Sequence, residues 1–267
     1  AKHLSAQTVK HHHRLLKRIL KHAVWHDHLV RNPADRVAPP AVQRKERPVL
    51  DTDELRALEE VSADTRYYPL VFIASRTGLR RSELLGLQWR HIKLEQKTLS
   101  VERAMHRSDN GAIVYQEPKS DFSRRTIELN DRTTELLTRM RDASEGVISE
   151  WSPETPVFAN VDGTPWLPSS VSHGIKKLMA KIGRPEAGLH SLRHSHATAL
   201  RGAGVRLEII QRRLGHSSIS TTADLYTHIM PGMGRDAIAK LSVIMGDDGV
   251  EKAAKMADNT ADKSLKR

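Results

Sequence analysis

The amino-acid sequence predicts a mainly α-helical protein with one small antiparallel β-sheet, an α+β fold. Apolar residues recur at helical spacing through most of the 267 residues, whereas residues 98–129 carry strand signals separated by turn residues. Cysteine is absent and 38% of the residues are hydrophobic, so we expect a cytoplasmic protein with an apolar core and no disulfides. No apolar run approaches the roughly 18 residues of a membrane span, so no membrane partner is expected.

The first 48 residues predict one basic helix and a linker. Apolar side chains recur at roughly helical spacing over residues 5–28, and Asn32-Pro33 ends this pattern. One helix cannot bury its apolar stripe alone, so residues 1–31 are interpreted as the last piece of a helical domain, followed by a basic linker over 32–48. Because position 1 is not methionine, we expect the chain to be a fragment of a longer protein.

From Val49 the pattern becomes that of a second domain, which we predict over residues 49–245. Its first helix has an Asp/Thr cap and acidic residues in its first turn. Helices are predicted at residues 50–61, 66–75, 81–86, 131–141, 168–182, 191–201, 206–214, 220–226 and 232–245. A single three-stranded antiparallel sheet is predicted from residues 98–101, 113–116 and 124–129. The polar residues 246–267 are expected to form a disordered tail.

The charge distribution favours a polyanionic partner. The chain has 43 Lys and Arg against 32 Asp and Glu, a formal net charge of +11, and residues 1–48 hold eleven of the basic and three of the acidic residues. Aromatic residues are only 4%, so phosphate contacts to a DNA duplex fit better than base stacking on a single strand. The alternative is a solvated basic face without a partner. The candidate DNA-binding residues are Lys10, Arg14, Lys17, Arg18, Lys21, Arg44, Lys45, Arg47, Arg124 and Arg125.

Two motifs place basic side chains where they could contact an anion. In TGLRRSELLGLQW, Arg80 follows a glycine-containing helix end, and Glu83 three residues later could orient its guanidinium. In EPKSDFSRRTIEL, Lys119 lies at a strand end before a tight turn, where its ammonium could bind phosphate or donate a proton. Each residue also has a plain interpretation, the first as a surface ion pair and the second as a solvated turn lysine.

The stretch GLHSLRHSHATAL clusters three histidines with an arginine. His190 and His194, at i and i+4, share a helix face and could ligate zinc, whereas Arg193 would repel a divalent cation and suits phosphate. His190 and Arg193 lie near a glycine-containing helix start, which favours an oxyanion. The run KHHHR at residues 10–14 could also bind a metal, but on a basic helix it is better interpreted as a phosphate-facing surface.

A last motif, RRLGHSSISTTADLYTH, places His216 after a glycine turn and Tyr226 ten residues later. A tyrosine downstream of so many cationic and imidazole groups is a candidate nucleophile, although a lone tyrosine is usually half-buried packing. Taken in order, Arg, Lys, His-x-x-Arg, Gly-His and Tyr resemble the tyrosine recombinase (phage integrase) family. The resemblance runs from Leu4 to about Ile244 and rests on the motifs TGLRRSEL, PKSDFSRRTIEL, LHSLRHSHAT and LGHSSISTTADLYTH.

The resemblance implies a catalytic domain over 49–245, preceded by the last helix of a SAM-like core-binding domain. It implies a DNA-breaking and rejoining enzyme that works through a 3′-phosphotyrosyl intermediate. Its implied catalytic groups are Arg80 and Arg193 as phosphate clamps, Lys119 and His190 as proton-transfer groups, His216 as a further hydrogen-bond donor, and Tyr226 as the nucleophile. Glu83 then orients Arg80, and His194 and His196 are assigned to packing or to the helix surface. Neither metal nor ATP is expected as a cofactor, because the phosphotyrosyl bond keeps the energy of the diester.

The resemblance also implies partners. We expect double-stranded DNA at specific recombination sites, a homotetramer in the synaptic complex, accessory directionality or host DNA-bending proteins, and an origin in a phage or mobile element. The helix at 232–245 would pack on its own or on a neighbouring protomer, and the sequence leaves that choice open. A catalytically silent DNA-binding protein and a type IB topoisomerase-like relaxing enzyme are the alternatives. With only the end of a core-binding domain, the chain alone is expected to cleave DNA weakly.

Overall fold

The computed structural model describes residues 4–42, 48–117 and 123–215. The chain divides into two compact units, one ending at Arg47 and the other beginning at Pro48. Within the described ranges, no helix is long and apolar enough to cross a bilayer. The predicted helices at 220–226 and 232–245 and the predicted tail lie outside the described residues. So do six of the predicted site residues, namely Arg44, Lys45, Arg47, Lys119, His216 and Tyr226.

The first unit contains one long helix, α1 (Ala6–Trp25), as the apolar spacing predicts. The side chain of Ser5 caps it by accepting a hydrogen bond from the Thr8 amide at 3.1 Å. A short 3₁₀ turn, Pro33–Arg36, follows where only a linker was predicted. It is tied to α1 because the side-chain amide of Asn32 donates to the carbonyl of Lys17 at 2.9 Å. Every residue of α1, which the structure describes in full, remains at least partly exposed.

The second unit alternates helices with two small sheets. Its helices are α2 (Thr52–Ser62), α3 (Tyr68–Thr77), α4 (Arg81–Gly86), α5 (Asp131–Val147), α6 (Pro168–Lys181), α7 (Leu189–Gly202) and α8 (Leu207–Leu214). Its strands are β1 (Ile92–Lys93), β2 (Thr98–Val101), β3 (Ala104–Arg107), β4 (Ile113–Gln116) and β5 (Arg125–Glu128). A 3₁₀ turn at Trp89–His91 precedes β1. The predicted mainly helical α+β fold is confirmed.

The strands pair differently from the sequence prediction. The three-stranded sheet has the order β1-β2-β5 and is antiparallel throughout, with Leu99 opposite Ile127. The strand predicted at residues 113–116 is β4, and it pairs with β3 in a separate hairpin in which Met105 lies opposite Tyr115. Placing all three predicted strands in one sheet was therefore wrong. The two strands that complete the sheets, β1 and β3, are too short or too polar to give a strand signal of their own.

One hydrophobic core runs through the second unit and fixes the helices that carry the predicted site. Helix α3 is buried along almost its whole length, and it packs against α7. The core continues through the sheet residues Leu99 and Ile127 to Ile175 on α6. The start of the unit is anchored to α7, because the Leu50 amide donates to the Ser195 hydroxyl at 2.8 Å. A smaller apolar cluster, Ala197, Ile210 and Leu214, joins α7 to α8.

Candidate active site

The turn between α3 and α4 requires a glycine at position 78. Gly78 ends α3 in the left-handed region, with φ of +66°, and its amide donates to the Ala74 carbonyl. A β-carbon on this residue would lie 2.7 Å from His196 Cδ2 and 2.8 Å from Leu214 Cδ2. The backbone of this turn therefore lies directly against α7 and the end of α8. Arg80 is the residue immediately before α4.

Arg193, near the start of α7, is a buried residue that connects the turn after α3 to the end of α8. Its side chain is 2% exposed. One guanidinium nitrogen, Nη1, donates to the Gly78 carbonyl at 2.7 Å, and Nη2 donates to the Leu214 carbonyl at 2.6 Å. Burial lowers the pKa of Arg193 to about 9, helped by the nearby charge of Arg80 and opposed by that of Glu83. The guanidinium is thus still protonated at neutral pH.

Glu83 is the single carboxylate at the centre of this cluster. Its Oε1 accepts from Arg80 Nη1 at 2.7 Å, and its Oε2 accepts from the Arg80 backbone amide at 2.9 Å. Arg125 binds the same carboxylate end-on, through Nη2 to Oε2 at 2.9 Å and Nη1 to Oε1 at 3.3 Å. Nη1 of Arg193 lies 3.9 Å from Oε2. Three guanidiniums around one carboxylate leave an excess of positive charge that suits an anion.

The pKa of Glu83 reflects a competition between burial of the carboxyl and the charges of the three arginines. Burial of the carboxyl raises its pKa, but the hydrogen bond and charge of Arg125, followed by the charges of Arg193 and Arg80, lower it to about 2. Glu83 is therefore ionised at every physiological pH, and it holds the cluster as a fixed anion. The sequence spacing predicted the contact with Arg80, and the contacts with Arg125 and Arg193 are additional.

Arg80 is the more accessible of the two predicted clamp residues. Its side chain is 37% exposed, although Glu83 and the Gly215 carbonyl, which accepts from Nη2 at 3.3 Å, hold the guanidinium in place. Arg80 and Arg193 thus approach one carboxylate from opposite elements, the turn before α4 and the start of α7. The structure brings these two predicted residues together.

His190 lies in the same first turn of α7 as Arg193. It is exposed, and its ring packs edge-on against that of His194 with 4.4 Å between the ring centroids. His196 does not join these two rings as a zinc ligand. Its Nδ1–H donates to the Ser75 carbonyl at 3.0 Å, and its Nε2 accepts from Arg213 Nε at 3.2 Å, so both ring nitrogens are engaged. Among the described residues, no group of three His, Cys, Asp or Glu could hold a metal ion.

His196 is a buried, neutral histidine that packs α7 against its neighbours. Burial lowers its pKa to about 4, and the charge of Arg213 adds to this effect while the bond to the Ser75 carbonyl opposes it. For His196 the sequence predicted packing or a position on the helix surface, and it gave no signal for the contact with Arg213. The guanidinium of Arg213 also donates to the Glu128 carbonyl at 3.0 Å, which ties α8 to β5.

Arg125 occupies a different place from the DNA-binding surface predicted for it. Its side chain is 4% exposed, and in addition to Glu83 it donates to the Arg213 carbonyl at 2.6 Å. A signal for this burial exists in the sequence, because Arg125 alternates with Ile127 and Leu129 on one side of the strand, and that side is the buried one. Arg124 points the other way; it is exposed and pairs with Glu117.

The basic side chains predicted on the first helix share one face of α1. Lys10, Arg14, Lys17, Arg18 and Lys21 follow helical spacing, and all but the half-buried Lys10 are exposed. Lys17 also forms an ion pair with Asp35, with 2.7 Å between Nζ and Oδ1. A row of mostly exposed cations along one helix face suits contacts to phosphates.

Comparison with known proteins shows which family has this architecture. Residues 48–232 match the profile of the Phage integrase family. The chain is 30% identical over 259 residues to a tyrosine recombinase XerC-like protein of Caldanaerobacter subterraneus subsp. tengcongensis, covering 89% of this chain and 66% of the relative. It is also 30% identical to the ICEBs1 integrase of Bacillus subtilis, covering 91% of this chain and 67% of the relative. The chain thus spans about two thirds of the length of these curated relatives.

Solved structures agree with the fold. The Tn1549 transposon integrase, in complex with a circular intermediate DNA, superposes with a TM-score of 0.77 at 23% identity, covering 90% of this chain and 81% of that one. The XerA recombinase superposes with a TM-score of 0.57 at 26% identity, covering 76% and 66%. The family profile covers the turn with Arg80 and Glu83, the strand with Arg125 and the first turn of α7 in one continuous match. The chain belongs to the phage integrase family, the tyrosine recombinases.

Proposed function

We propose that this chain is a site-specific DNA recombinase that cleaves and rejoins duplex DNA through a 3′-phosphotyrosyl intermediate on Tyr226. The observation that carries the proposal is the pair of guanidiniums, Arg80 and Arg193, held near one buried carboxylate. Such a pair can bind the two nonbridging oxygens of one phosphodiester. An origin in a phage or mobile element accords with the integrases among the relatives.

The clamp acts on the transition state. When a nucleophile attacks phosphorus, negative charge grows on the nonbridging oxygens of the pentacoordinate species. Arg80 and Arg193 are already fixed by Glu83 and by backbone carbonyls, so they need little reorganisation to stabilise that charge. Losing one preorganised donor of this kind costs roughly 2.7–4 kcal/mol of transition-state stabilisation.

The remaining steps use residues assigned from their motifs. The phenol oxygen of Tyr226 attacks the phosphorus, its proton passing to His190, and the bond to the 5′ oxygen breaks as Lys119 protonates that oxygen. His216 donates a further hydrogen bond to the phosphate. A phenol has a pKa of about 10, so the positive cluster assists by favouring the phenolate. A 5′ hydroxyl from another strand can reverse the reaction, so the exchange itself consumes neither ATP nor a metal-activated water.

Its partner is double-stranded DNA at specific sites, and recombination requires four protomers, one for each exchanged strand. The integrase that superposes over 90% of this chain was solved with DNA. The basic face of α1 would contact the phosphate backbone of the duplex. Accessory directionality or host DNA-bending proteins would act on the same protein–DNA complex.

A nicked suicide duplex tests the proposal, because the short strand is lost after cleavage and the covalent complex is trapped. The wild-type chain is expected to give a protein–DNA adduct that survives denaturation, while Tyr226→Phe gives none. Arg193→Lys, which keeps the charge but loses the fork, should slow adduct formation by about two orders of magnitude or more. Tight DNA binding with no adduct from the wild type would contradict the proposal and indicate a silent binder. A paired test of plasmid relaxation and two-site recombination would reveal a topoisomerase if only relaxation occurred.

A further inference from the structure

Arg125 is a buried arginine that the proposed reaction does not use directly. Its side chain is 4% exposed, and each of its three guanidinium nitrogens donates to an acceptor within the chain. To the described residues it makes four hydrogen bonds: two to Glu83, one from Nε to the Arg213 carbonyl at 2.6 Å, and one from Nη1 to the Ser123 carbonyl at 3.1 Å. Four directed bonds from one planar fork define its position closely.

These acceptors belong to the chain segments that carry the proposed catalytic residues. Glu83 holds Arg80 and lies against Arg193. Ser123 follows Lys119 by four residues, and Arg213 precedes His216 by three. One guanidinium thus contacts three separate segments, each of them adjacent in sequence or in space to a proposed catalytic group.

The contact with Glu83 also sets the charge and direction of that carboxylate. Arg125 binds both oxygens end-on, which fixes the plane of the carboxylate and leaves each oxygen free to accept one further bond from Arg80. Arg125 also neutralises much of the charge on Glu83, so Arg80 and Arg193 keep more of their positive charge for a phosphate. Without Arg125, the same carboxylate would draw the two clamp residues toward itself.

We propose that Arg125 is a positioning residue for strand cleavage, which aligns Arg80 and Arg193 through Glu83 and fixes the backbone at Ser123 and Arg213 to the same point. The inference rests on the proposed function. Arg125 was predicted from the sequence to contact DNA, and the proposal instead gives it the role of holding the phosphate-binding residues in place.

Two variants test this role: Arg125→Lys, which keeps the charge but loses the fork, and Arg125→Met, which loses both. The measurement is the single-turnover rate of suicide-duplex cleavage at saturating DNA, with the folded fraction and DNA affinity measured in parallel. We expect the Lys variant to cleave about tenfold and the Met variant at least 100-fold more slowly, with DNA affinity within threefold of wild type. The matched control is Arg139→Met, an exposed arginine on α5 paired with Glu135, which should leave the rate unchanged.

A pH profile separates positioning from mere folding. Within the part of the chain that the structure describes, the charged groups that face Glu83 are Arg80 from the turn before α4, Arg125 from β5 and Arg193 from α7. Replacing Arg125 by methionine removes the largest of the influences that lower the pKa of Glu83, so the acid limb of the profile should move to higher pH. Because acid unfolding of a destabilised variant would also move that limb, each rate is divided by the folded fraction measured at the same pH, and only a shift that survives this correction supports positioning.

The outcomes are distinct. A Lys variant that cleaves at the wild-type rate overturns the inference, and so does a loss of DNA affinity with an unchanged rate at saturation. If the Met variant does not fold, the Lys variant decides. If the wild-type chain forms no adduct, the proposed function fails, whereas a cleaving wild type matched by both variants makes only this inference fail.

Discussion

Glu83 shares one buried carboxylate with three arginines, so its ionisation is coupled to the stability of the fold. Its pKa is about 2 in the folded chain against an ordinary value of 4.5. A carboxyl whose pKa is lowered on folding adds stability above its ordinary pKa, and that stability is lost as the pH falls toward the folded value. The window for Glu83 is therefore pH 4.5 down to about 2.

Replacing Glu83 by glutamine tests this coupling. Glu83→Gln keeps the size of the side chain but leaves three guanidiniums without their anion, so the free energy of unfolding at pH 7 should fall by about 3–5 kcal/mol. The difference from wild type should shrink as the pH is lowered from 4.5, because the wild type then loses the same contribution. Urea denaturation at pH 7, 4 and 3 measures it, and a difference that stays constant across this range would contradict the role of the charge.

Gly78 allows a matched pair of glycine substitutions. Gly78 and Gly204 both have positive φ, +66° and +80°, but a β-carbon at 204 would meet no atom within 4 Å. Gly204→Ala should cost about 1–2 kcal/mol for backbone strain alone. Gly78→Ala should cost a further 1–3 kcal/mol, roughly the penalty of overpacking against His196 and Leu214. Denaturation midpoints of the two variants give the comparison, and equal losses would show that the close packing at Gly78 carries no energy.

At this scale the sequence predicted contacts between near neighbours and missed those between distant ones. Arg80 and Glu83 are three residues apart, so their contact followed from helical spacing. Arg125 reaches Glu83 across 42 residues, and Arg213 reaches His196 from another helix. No local pattern specifies such pairs, since they depend on how the strand and helices pack.

At the scale of elements, α7 joins the clamp to the core. Arg193 and His190 lie in its first turn, and one turn later His196 is bonded to the end of α3 and to α8. The buried ring of His196 is neutral, with a pKa of about 4 against an ordinary 6.5. The unfolded chain takes up a proton on this residue between pH 6.5 and 4 while the folded chain does not, so stability falls over that window as the pH is lowered.

A non-titrating substitution isolates this effect. His196→Gln keeps a polar side chain but has no pKa in the range, so its stability should depend less on pH between 6.5 and 4. The wild type should lose on the order of 3 kcal/mol more than the variant over that window, from 1.36 kcal/mol per pKa unit. The measurement is the unfolding free energy at pH 6.5, 5.5 and 4.5. Parallel curves for the two proteins would contradict a neutral His196.

Among the secondary-structure elements, too, local signals predicted the helices, whereas the pairing of the strands depends on distant contacts. Most described helices were predicted within a few residues of their ends, because apolar periodicity and caps such as Asp51 with Glu54 are local signals. Helix α5 continues to Val147, six residues past its predicted end. Strand pairing was wrong, because β4 finds its partner in β3, whose sequence Ala-Met-His-Arg gives no strand signal.

At the scale of the whole molecule, the concentration of positive charge in the first 48 residues predicts which surface binds DNA. The exposed cations on α1 are expected to contact phosphates, and each contact releases counterions. The double variant Arg14→Ala/Arg18→Ala should lower the slope of log affinity against log salt concentration by about 1.8, or roughly 0.9 for each contact. The control, Arg56→Ala, removes an exposed arginine of α2 that pairs with Asp53, and it should leave the slope unchanged. An unchanged slope in the double variant would exclude these residues from the DNA interface.

The proposed reaction of the whole molecule depends on one covalent bond, the phosphotyrosyl link to Tyr226. Mass spectrometry of the trapped adduct, after digestion of protein and DNA, tests it most directly. We expect one modified peptide, with a 3′-linked nucleotide on Tyr226, and a severe loss of that peptide in Arg80 and Arg193 variants that still bind DNA. A nucleotide attached to any other residue, or an adduct that persists in Tyr226→Phe, would contradict it.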